Sequence, residues 1–151
     1  MALDLFEETV GLLGDLEQRG IAYAVAGAVA LAIHGVPRAT TDLDLLVPPR
    51  DVDAVLAVAR ARRFGVEALP MKFSDGLEVR RVVKTEGADM VTLDLLLVNA
   101  NLESVWASRE RVRTERGEFS VVSREGLIRM KAWAGREQDL ADIRRLEELD
   151  R

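Results

Sequence analysis

The sequence contains no cysteine and no long apolar run. Without cysteine, disulfide bonds and thiolate metal sites are excluded, and we expect a protein of the cytoplasm. The longest apolar stretch, residues 21–33, is interrupted by Gly27 and is too short to cross a bilayer, so no membrane partner is expected. Acidic residues, Asp4, Glu7 and Glu8, lie where a signal peptide would carry basic ones, so no such peptide is predicted.

Positive charge is also scarce, since 21 Lys and Arg stand against 26 Asp and Glu for a formal net charge of −5. The chain therefore lacks the overall electrostatic footprint of a nucleic-acid-binding protein. A local basic cluster at residues 109–116 could still contact phosphates, but we interpret it as the solvated edge of a hairpin. With 48% hydrophobic residues in a chain of 151, we predict one domain with its own core. That domain would span residues 1–151, with a core of about 21–100 and a C-terminal hairpin and helices over about 101–151.

Apolar spacing and turn residues predict the order α-β-α-β-α, followed by strands and then helices. Asp51, Asn101 and Ser123 are the predicted N-caps, and residues 64–76 are expected to form a short strand and a loop. The pattern predicts a mixed α/β (α+β) fold, a small mixed β-sheet with helices packed on one side. The predicted helices are residues 3–19, 27–34, 51–62, 125–134 and 138–149 with a short one after 101, and the predicted strands are residues 21–26, 42–47, 77–84, 90–98, 111–114 and 119–122.

Two carboxylates two residues apart, Asp42 and Asp44, carry the strongest chemical signal. Side chains alternate along a strand, so both would point to the same face and repel each other. A divalent cation bound between them would resolve that repulsion; the alternative is a pair of solvated acids at a strand end. A third carboxylate, Asp94, lies in the almost wholly apolar segment 91–97, where it needs a partner or a metal. If the two strands are neighbours, Asp94 faces the pair, and oxygen ligands of this kind select Mg²⁺ or Mn²⁺.

A glycine, Gly27, opens the short helix that precedes the carboxylate strand. Glycine lets the start of a helix approach a phosphate closely, although it could also only relieve crowding where the helix meets a strand. A phosphate beside a divalent metal is the arrangement that nucleotidyl transfer requires.

This arrangement resembles the nucleotidyltransferase superfamily with the DNA polymerase β-like fold. Its hallmark is a strand ending in Gly-Gly or Gly-Ser, a spacer, Asp-x-Asp or Asp-x-Glu in a strand, and a later Asp. Here it corresponds to Gly27-Ala28, the thirteen residues 29–41, Asp42-Leu43-Asp44, and Asp94. The segment is most similar to the small bacterial group near the AbiEii-type toxins and the minimal nucleotidyltransferases. The residues that match the pattern of that group in register are Ala30, Leu31, His34, Gly35, Arg38, Thr40, Asp42, Asp44, Leu45 and Val47.

A second similarity lies in the C-terminal part, over residues 127–143. It resembles the "Lys-x-x-Ala-x-Arg-x-x-Asp-x-x-Asp-Ile" helix pair of the same superfamily, and Lys131, Arg136, Asp139 and Asp142 occupy its polar positions. The resemblance implies that Lys131 reaches a triphosphate, whereas a lysine on such a helix could also only extend along the surface. We expect Asp139 to cap the last helix and Asp142 to orient Lys131 or Arg136.

The resemblance implies a metal-dependent nucleotidyltransferase that moves an NMP from an NTP to an acceptor hydroxyl and releases pyrophosphate. Asp42, Asp44 and Asp94 would be catalytic and would bind Mg²⁺ or Mn²⁺, with Asp94 also a candidate base. The nucleotide-binding residues would be Gly27, Ala28, Arg38 and Lys131. The acceptor could be a protein, a tRNA or a small molecule.

The resemblance also allows a role in a toxin–antitoxin system, with a cognate toxin or antitoxin as partner. Ala28 stands where the superfamily usually has Gly or Ser, so only backbone N–H groups remain there for a phosphate. This position favours the alternative, a non-catalytic nucleotide- or partner-binding member of the same fold.

Overall fold

The computed structural model describes residues 3–149, which form six α-helices and eight β-strands. Two 3₁₀ turns, Pro49–Asp51 and Ala100–Leu102, precede α3 and α4. No helix within residues 3–149 has the length and apolar character needed to span a bilayer. The helices are α1 (Leu5–Gln18), α2 (Gly27–Ile33), α3 (Val52–Ala61), α4 (Glu103–Ala107), α5 (Arg124–Ala134) and α6 (Glu137–Glu148). The strands are β1 (Ala24–Ala26), β2 (Asp42–Val47), β3 (Val66–Glu67), β4 (Met71–Lys72), β5 (Glu78–Glu86), β6 (Asp89–Leu97), β7 (Glu110–Thr114) and β8 (Gly117–Val121).

The strands belong to one mixed sheet in the order β3-β5-β6-β2-β1-β8-β7, and β4 pairs with β5. Neighbours are parallel at β2–β6 and β1–β8 and antiparallel elsewhere. Because β8 pairs with β1, the predicted C-terminal hairpin continues the same sheet as the carboxylate strand. The predicted mixed α/β class is therefore confirmed.

The central strand β2 divides its side chains between the core and an open face. Leu43 and Leu45 are fully buried, whereas Asp42 is exposed and Asp44 is partly buried. The alternation of the sequence DLDL thus explains both the burial of the strand and the presentation of its acids. Removing the two leucines from water contributes roughly 4 kcal/mol to stability, which fixes the register of the acids.

Several helix and strand ends differ from the sequence-based prediction. The first strand begins at Ala24 and not at 21, because the N–H of Ile21 bonds to Leu16 O and closes the end of α1. Asp51 makes no side-chain cap for α3, since it belongs to the 3₁₀ turn before the helix. Asn99, and not Asn101, caps the turn before α4, accepting from Leu102 N at 3.0 Å.

Two local predictions in the C-terminal part agree with the structure. Ser123 caps α5, since its hydroxyl accepts a hydrogen bond from Gly126 N at 3.0 Å. The basic hairpin is largely paired with acids of α1: Arg111 bonds to Glu17, and Arg116 bonds to Glu7. These exposed pairs fit the interpretation of the hairpin as a solvated edge.

Candidate functional site

The three aspartates of the sequence motif lie on adjacent strands. In the parallel β2–β6 ladder Asp44 is opposite Asp94, and Asp42 is opposite Thr92. The prediction that Asp94 faces the carboxylate strand is thus confirmed for Asp44. The exposed Asp42 carboxylate accepts a hydrogen bond from Thr41 at 3.3 Å, whereas no residue among 3–149 donates one to the carboxylate of Asp44.

Asp44 is the most perturbed acid of this group. Burial raises its pKa, and the neighbouring charges of Asp94 and Asp42 raise it further, to about 6. The positive charges of Arg81 and Lys131 act in the opposite direction but do not cancel the shift. A partly buried carboxylate that is crowded by like charge and lacks a donor is an unfavourable arrangement for the fold alone, and it is typical of functional sites.

Arg81 is a site residue that the sequence analysis did not identify. It lies opposite Asp94 in the antiparallel β5–β6 ladder and holds both its oxygens, with Nε–Oδ1 at 2.7 Å and Nη2–Oδ2 at 2.9 Å. The sequence does indicate this pairing, because the turn after Glu86 sets the hairpin register by pairing Glu86 with Asp89. Counting five residues back from Glu86 in β5 and five forward from Asp89 in β6 gives the Arg81–Asp94 pair.

The donor chemistry of the site fits a hard divalent cation at the Asp42–Asp44 pair. Mg²⁺ is commonly bound by one or two carboxylates together with substrate phosphates, and Asp44 has no competing hydrogen bond. Within residues 3–149, no three acidic or histidine side chains are grouped closely enough to hold one ion. Arg81 engages the third carboxylate, that of Asp94. The three-carboxylate metal set therefore stays a prediction.

Gly27 covers the carboxylate of Asp44. It follows β1, in which Ala26 is the ladder partner of Asp44, and it begins α2 with φ +63°. A Cβ at this position would lie 2.2 Å from Asp44 Oδ2, so any other residue would have a strained backbone and would force Asp44 to shift. No side chain caps α2, so its first N–H groups, including that of Ala28, lack a side-chain acceptor. Gly27 therefore does relieve crowding, namely against the side chain of Asp44, and this is compatible with a role towards phosphate.

A buried acid, Asp142 of α6, contacts two basic side chains, Lys131 and Arg38, which the sequence motif predicted to bind the nucleotide. Its Oδ2 lies 3.0 Å from Lys131 Nζ and 2.5 Å from Arg38 Nη1. Arg38 thus makes a carboxylate contact, and its role towards a nucleotide stays a prediction. Asp139 accepts from the N–H of Arg136 at 3.2 Å and so caps α6 as expected, and it also lies 3.4 Å from Lys131 Nζ. The expectation that Asp142 orients Lys131 is met by this geometry.

Replacing Asp142 with asparagine is expected to lower the free energy of unfolding by about 3 kcal/mol, because Lys131 and Arg38 would lose their shared counter-charge in a buried position. Burial alone would raise the pKa of Asp142, but the hydrogen bonds from Lys131 and Arg38 outweigh it and lower the pKa below 3.8. The stabilisation should therefore be complete above pH 3.8 and be lost as the pH falls through the lower pKa of the folded state.

Urea unfolding at pH 7 and at pH 3 measures this difference. The control is Asp51→Asn, whose exposed pair with Arg50 spans 3.9 Å and should contribute less than about 0.5 kcal/mol. An Asp142→Asn variant as stable as this control would contradict the assignment.

A cleft of about 640 Å³ opens beside these residues. Its polar lining includes Gly27, Lys131 and Arg136, and its apolar lining includes Phe73 and Trp133. The two aromatic side chains are each 51% exposed and lie in the same cleft. The cleft thus combines charged groups of both signs, since Asp75 and Asp139 also line it, with flat apolar surfaces on which an aromatic molecule could stack.

The lone histidine does not belong to the chemistry. His34 ends α2, and its Nε2 lies 2.8 Å from Val122 O, to which it donates a hydrogen bond. His34 therefore bonds to the backbone at the end of a helix.

Comparison with solved structures identifies the class of fold. A candidate nucleotidyltransferase from Thermotoga maritima, TM1012, superposes with a TM-score of 0.64 at 13% identity, over 98% of this chain and 96% of that one. The antibiotic-resistance factor ANT(2″)-Ia, in complex with adenylyl-2″-tobramycin, gives a TM-score of 0.60 at 12% identity, over 95% and 94%. JHP933 from Helicobacter pylori gives 0.59 at 17% identity, over 95% of this chain but 65% of its own length. No family model matches the sequence, and no curated protein matches it.

The chain has the nucleotidyltransferase fold that its sequence motif predicted. At these identities the similarity establishes the fold, and the AbiEii-type subgroup stays a prediction.

Proposed function

We propose that this protein is a metal-dependent nucleotidyltransferase that moves an NMP from an NTP to an acceptor hydroxyl and releases pyrophosphate. The observation that carries the proposal is the contact of Gly27 with Asp44, which is itself opposite Asp94. The fold itself does not need a glycine against a carboxylate that has no hydrogen-bond donor within residues 3–149, because other residue pairs would pack there at least as well. The contact is explained if both backbone and carboxylate serve the same bound nucleotide.

The residues divide into groups by the part of the nucleotide that they would serve. Asp42 and Asp44 would hold a divalent cation, which would neutralise the triphosphate and favour ionisation of the acceptor hydroxyl. Asp94, opposite Asp44, would accept the proton of that hydroxyl. Lys131, kept in place by Asp142, would offset the charge that develops on the phosphate in the transition state.

The backbone and the aromatic cleft would position the remainder of the substrate. The N–H groups that follow Gly27 and Ala28 would contact phosphate oxygens, and Trp133 and Phe73 offer surfaces for a nucleobase or for an apolar part of the acceptor. Arg38 would act through Asp142, which it contacts together with Lys131.

A small-molecule or protein hydroxyl fits the acceptor role better than a tRNA. A net charge of −5 opposes binding to a phosphate backbone. The adenylylated tobramycin in the structure of ANT(2″)-Ia shows that the same fold can accommodate a small acceptor. A protein acceptor would be compatible with a toxin–antitoxin role, in which a cognate partner protein binds the chain.

The alternative is a non-catalytic nucleotide- or partner-binding protein, which Ala28 favours because it offers no hydroxyl to the phosphates. This alternative predicts nucleotide binding without transfer, or no nucleotide binding at all.

Nucleotide binding can be measured by tryptophan fluorescence. The chain has two tryptophans, and Trp106 lies under the guanidinium of Arg109 at 3.9 Å, outside the cleft lining. In a Trp106→Phe variant, Trp133 is the only reporter. We expect ATP, CTP, GTP or UTP with Mg²⁺ or Mn²⁺ to quench its emission in a saturable way, because a base or triphosphate in the cleft changes the environment of the exposed indole.

The control adds Asp44→Asn to the same reporter, which should weaken metal-dependent quenching at least tenfold. Absence of quenching and of any thermal shift with all four nucleotides and both metals would contradict the proposed function.

A further inference from the structure

Four charged side chains meet where β2, β5 and β6 lie side by side. Asp42, Asp44 and Asp94 carry −3 together when ionised, and Arg81 carries +1, which leaves −2. One divalent cation would neutralise this group, whereas two would leave it with an excess of +2 before any nucleotide binds. Lys131 also acts on Asp44, but it is paired with Asp139 and Asp142, so the balance of these four side chains favours a single ion.

We propose that Arg81 takes the place of a second divalent cation: its guanidinium stays on both oxygens of Asp94 while Asp42 and Asp44 bind one ion. This inference rests on the proposed function, and it makes Arg81 a positioning residue that acts through Asp94. Asp94 then serves only as an oriented carboxylate and not as a metal ligand.

The geometry of the Arg81–Asp94 pair indicates a strong contact. Both contacts are short, at 2.7 and 2.9 Å, and they form the parallel, two-point arrangement that is strongest between guanidinium and carboxylate. The two residues are direct partners within a ladder of nine-residue strands, so the backbone on both sides holds them together.

The Asp94 carboxylate needs a counter-charge, and Arg81 supplies it. Asp94 is 8% exposed, so losing its partner would leave a nearly buried charge until an ion arrived. Lys131 could not take over, because its Nζ already lies 3.0 Å from Asp142 and 3.4 Å from Asp139. Each oxygen of Asp94 accepts only one hydrogen bond from Arg81, so a lone pair on each is left to receive a proton.

The number of bound ions tests this inference directly. Mn²⁺ is titrated into the full-length protein, alone and with α,β-methylene-ATP, and bound ions per chain are counted by electron paramagnetic resonance. The wild type should bind one Mn²⁺ at the Asp42–Asp44 pair. Asp94→Asn should also bind one, because Asp94 is not a ligand, although more weakly, since a negative charge beside Asp44 is lost. Arg81→Gln frees the third carboxylate and should bind two.

A matched control removes the neighbouring positive charge. Arg80 lies on the opposite face of β5, where it bonds to Glu67 at 3.2 Å, so Arg80→Gln should still bind one Mn²⁺. Two ions in the wild type, with one lost in Asp94→Asn, would overturn the inference and leave the proposed function standing. No Mn²⁺ bound by the wild type, with or without the nucleotide analogue, would overturn both. The nearly isosteric Asp94→Asn decides the matter if Arg81→Gln does not fold.

Discussion

Replacing Gly27 with alanine should lower the free energy of unfolding by about 3–5 kcal/mol and abolish nucleotide transfer. Two effects add at this position. The backbone has φ +63°, which L-residues with a side chain adopt only with strain, and the new methyl group would lie 2.2 Å from Asp44 Oδ2. To relieve that contact, Asp44 must move away from the place where it is proposed to bind a cation. Urea unfolding and a transfer assay measure the two consequences separately.

Two other glycines separate the backbone effect from the contact. Gly87 has φ +59°, and no atom lies within 4 Å of the position that a methyl group would take there, so Gly87→Ala should lose only about 1–2 kcal/mol. Gly14, inside α1, also has open space and no positive φ, so Gly14→Ala should gain up to about 1 kcal/mol.

The contact can also be removed from its other side. Asp44→Ala deletes the two closest atoms and leaves Cβ at 3.2 Å, so the double variant Gly27→Ala/Asp44→Ala should lose less stability than Gly27→Ala alone. If Gly27→Ala behaves like Gly87→Ala, the proposed contact with Asp44 is wrong.

Replacing Asp44 with asparagine should have effects of opposite sign on stability and activity. At pH 7 and without metal, stability should rise by about 2 kcal/mol, because the folded state no longer contains an ionised carboxylate that is buried beside Asp94 and Asp42. Transfer should fall by at least about a thousandfold, because the residue proposed to hold the cation is lost.

The raised pKa of Asp44 determines how wild-type stability changes with pH. The folded state raises the pKa of Asp44 from 3.8 to about 6, so it binds the proton more tightly than the unfolded state does. Wild-type stability should therefore fall as the pH rises from about 4 to about 6, and the advantage of Asp44→Asn should disappear below that window. Glu147→Gln, an exposed acid on α6, is the charge-matched control and should change stability little. A destabilised Asp44→Asn would show that Asp44 has a structural partner.

The carboxylate strand and its neighbours were predictable from sequence because their signals are local. Alternation defined β2 from Asp42 to Val47, and an aspartate in an apolar segment indicated that Asp94 would need a partner. The order of glycine, paired acids and later acid predicted the class of fold that the solved structures confirm.

The remaining parts of the site depend on contacts between distant segments. The role of Arg81 depends on the hairpin register that pairs it with Asp94, because an arginine in an alternating strand is otherwise an ordinary surface residue. Phe73 and Trp133 are 60 positions apart and share no pattern, so their place in one cleft follows only from tertiary packing. The pairing of Arg38 with Asp142 spans 104 positions and is equally nonlocal.

Transfer of an NMP is distinguished from other reactions of an NTP by the fate of each phosphate. The wild-type protein and Asp44→Asn are each incubated with Mg²⁺ and a cell extract, with the NTP labelled in parallel at the α- or the γ-phosphate. With the wild type, α-label should become attached to an acceptor while γ-label is released in pyrophosphate, and Asp44→Asn should do neither. Label attached from the γ-phosphate, or no difference between the wild type and Asp44→Asn with any of the four nucleotides, would contradict transfer of an NMP.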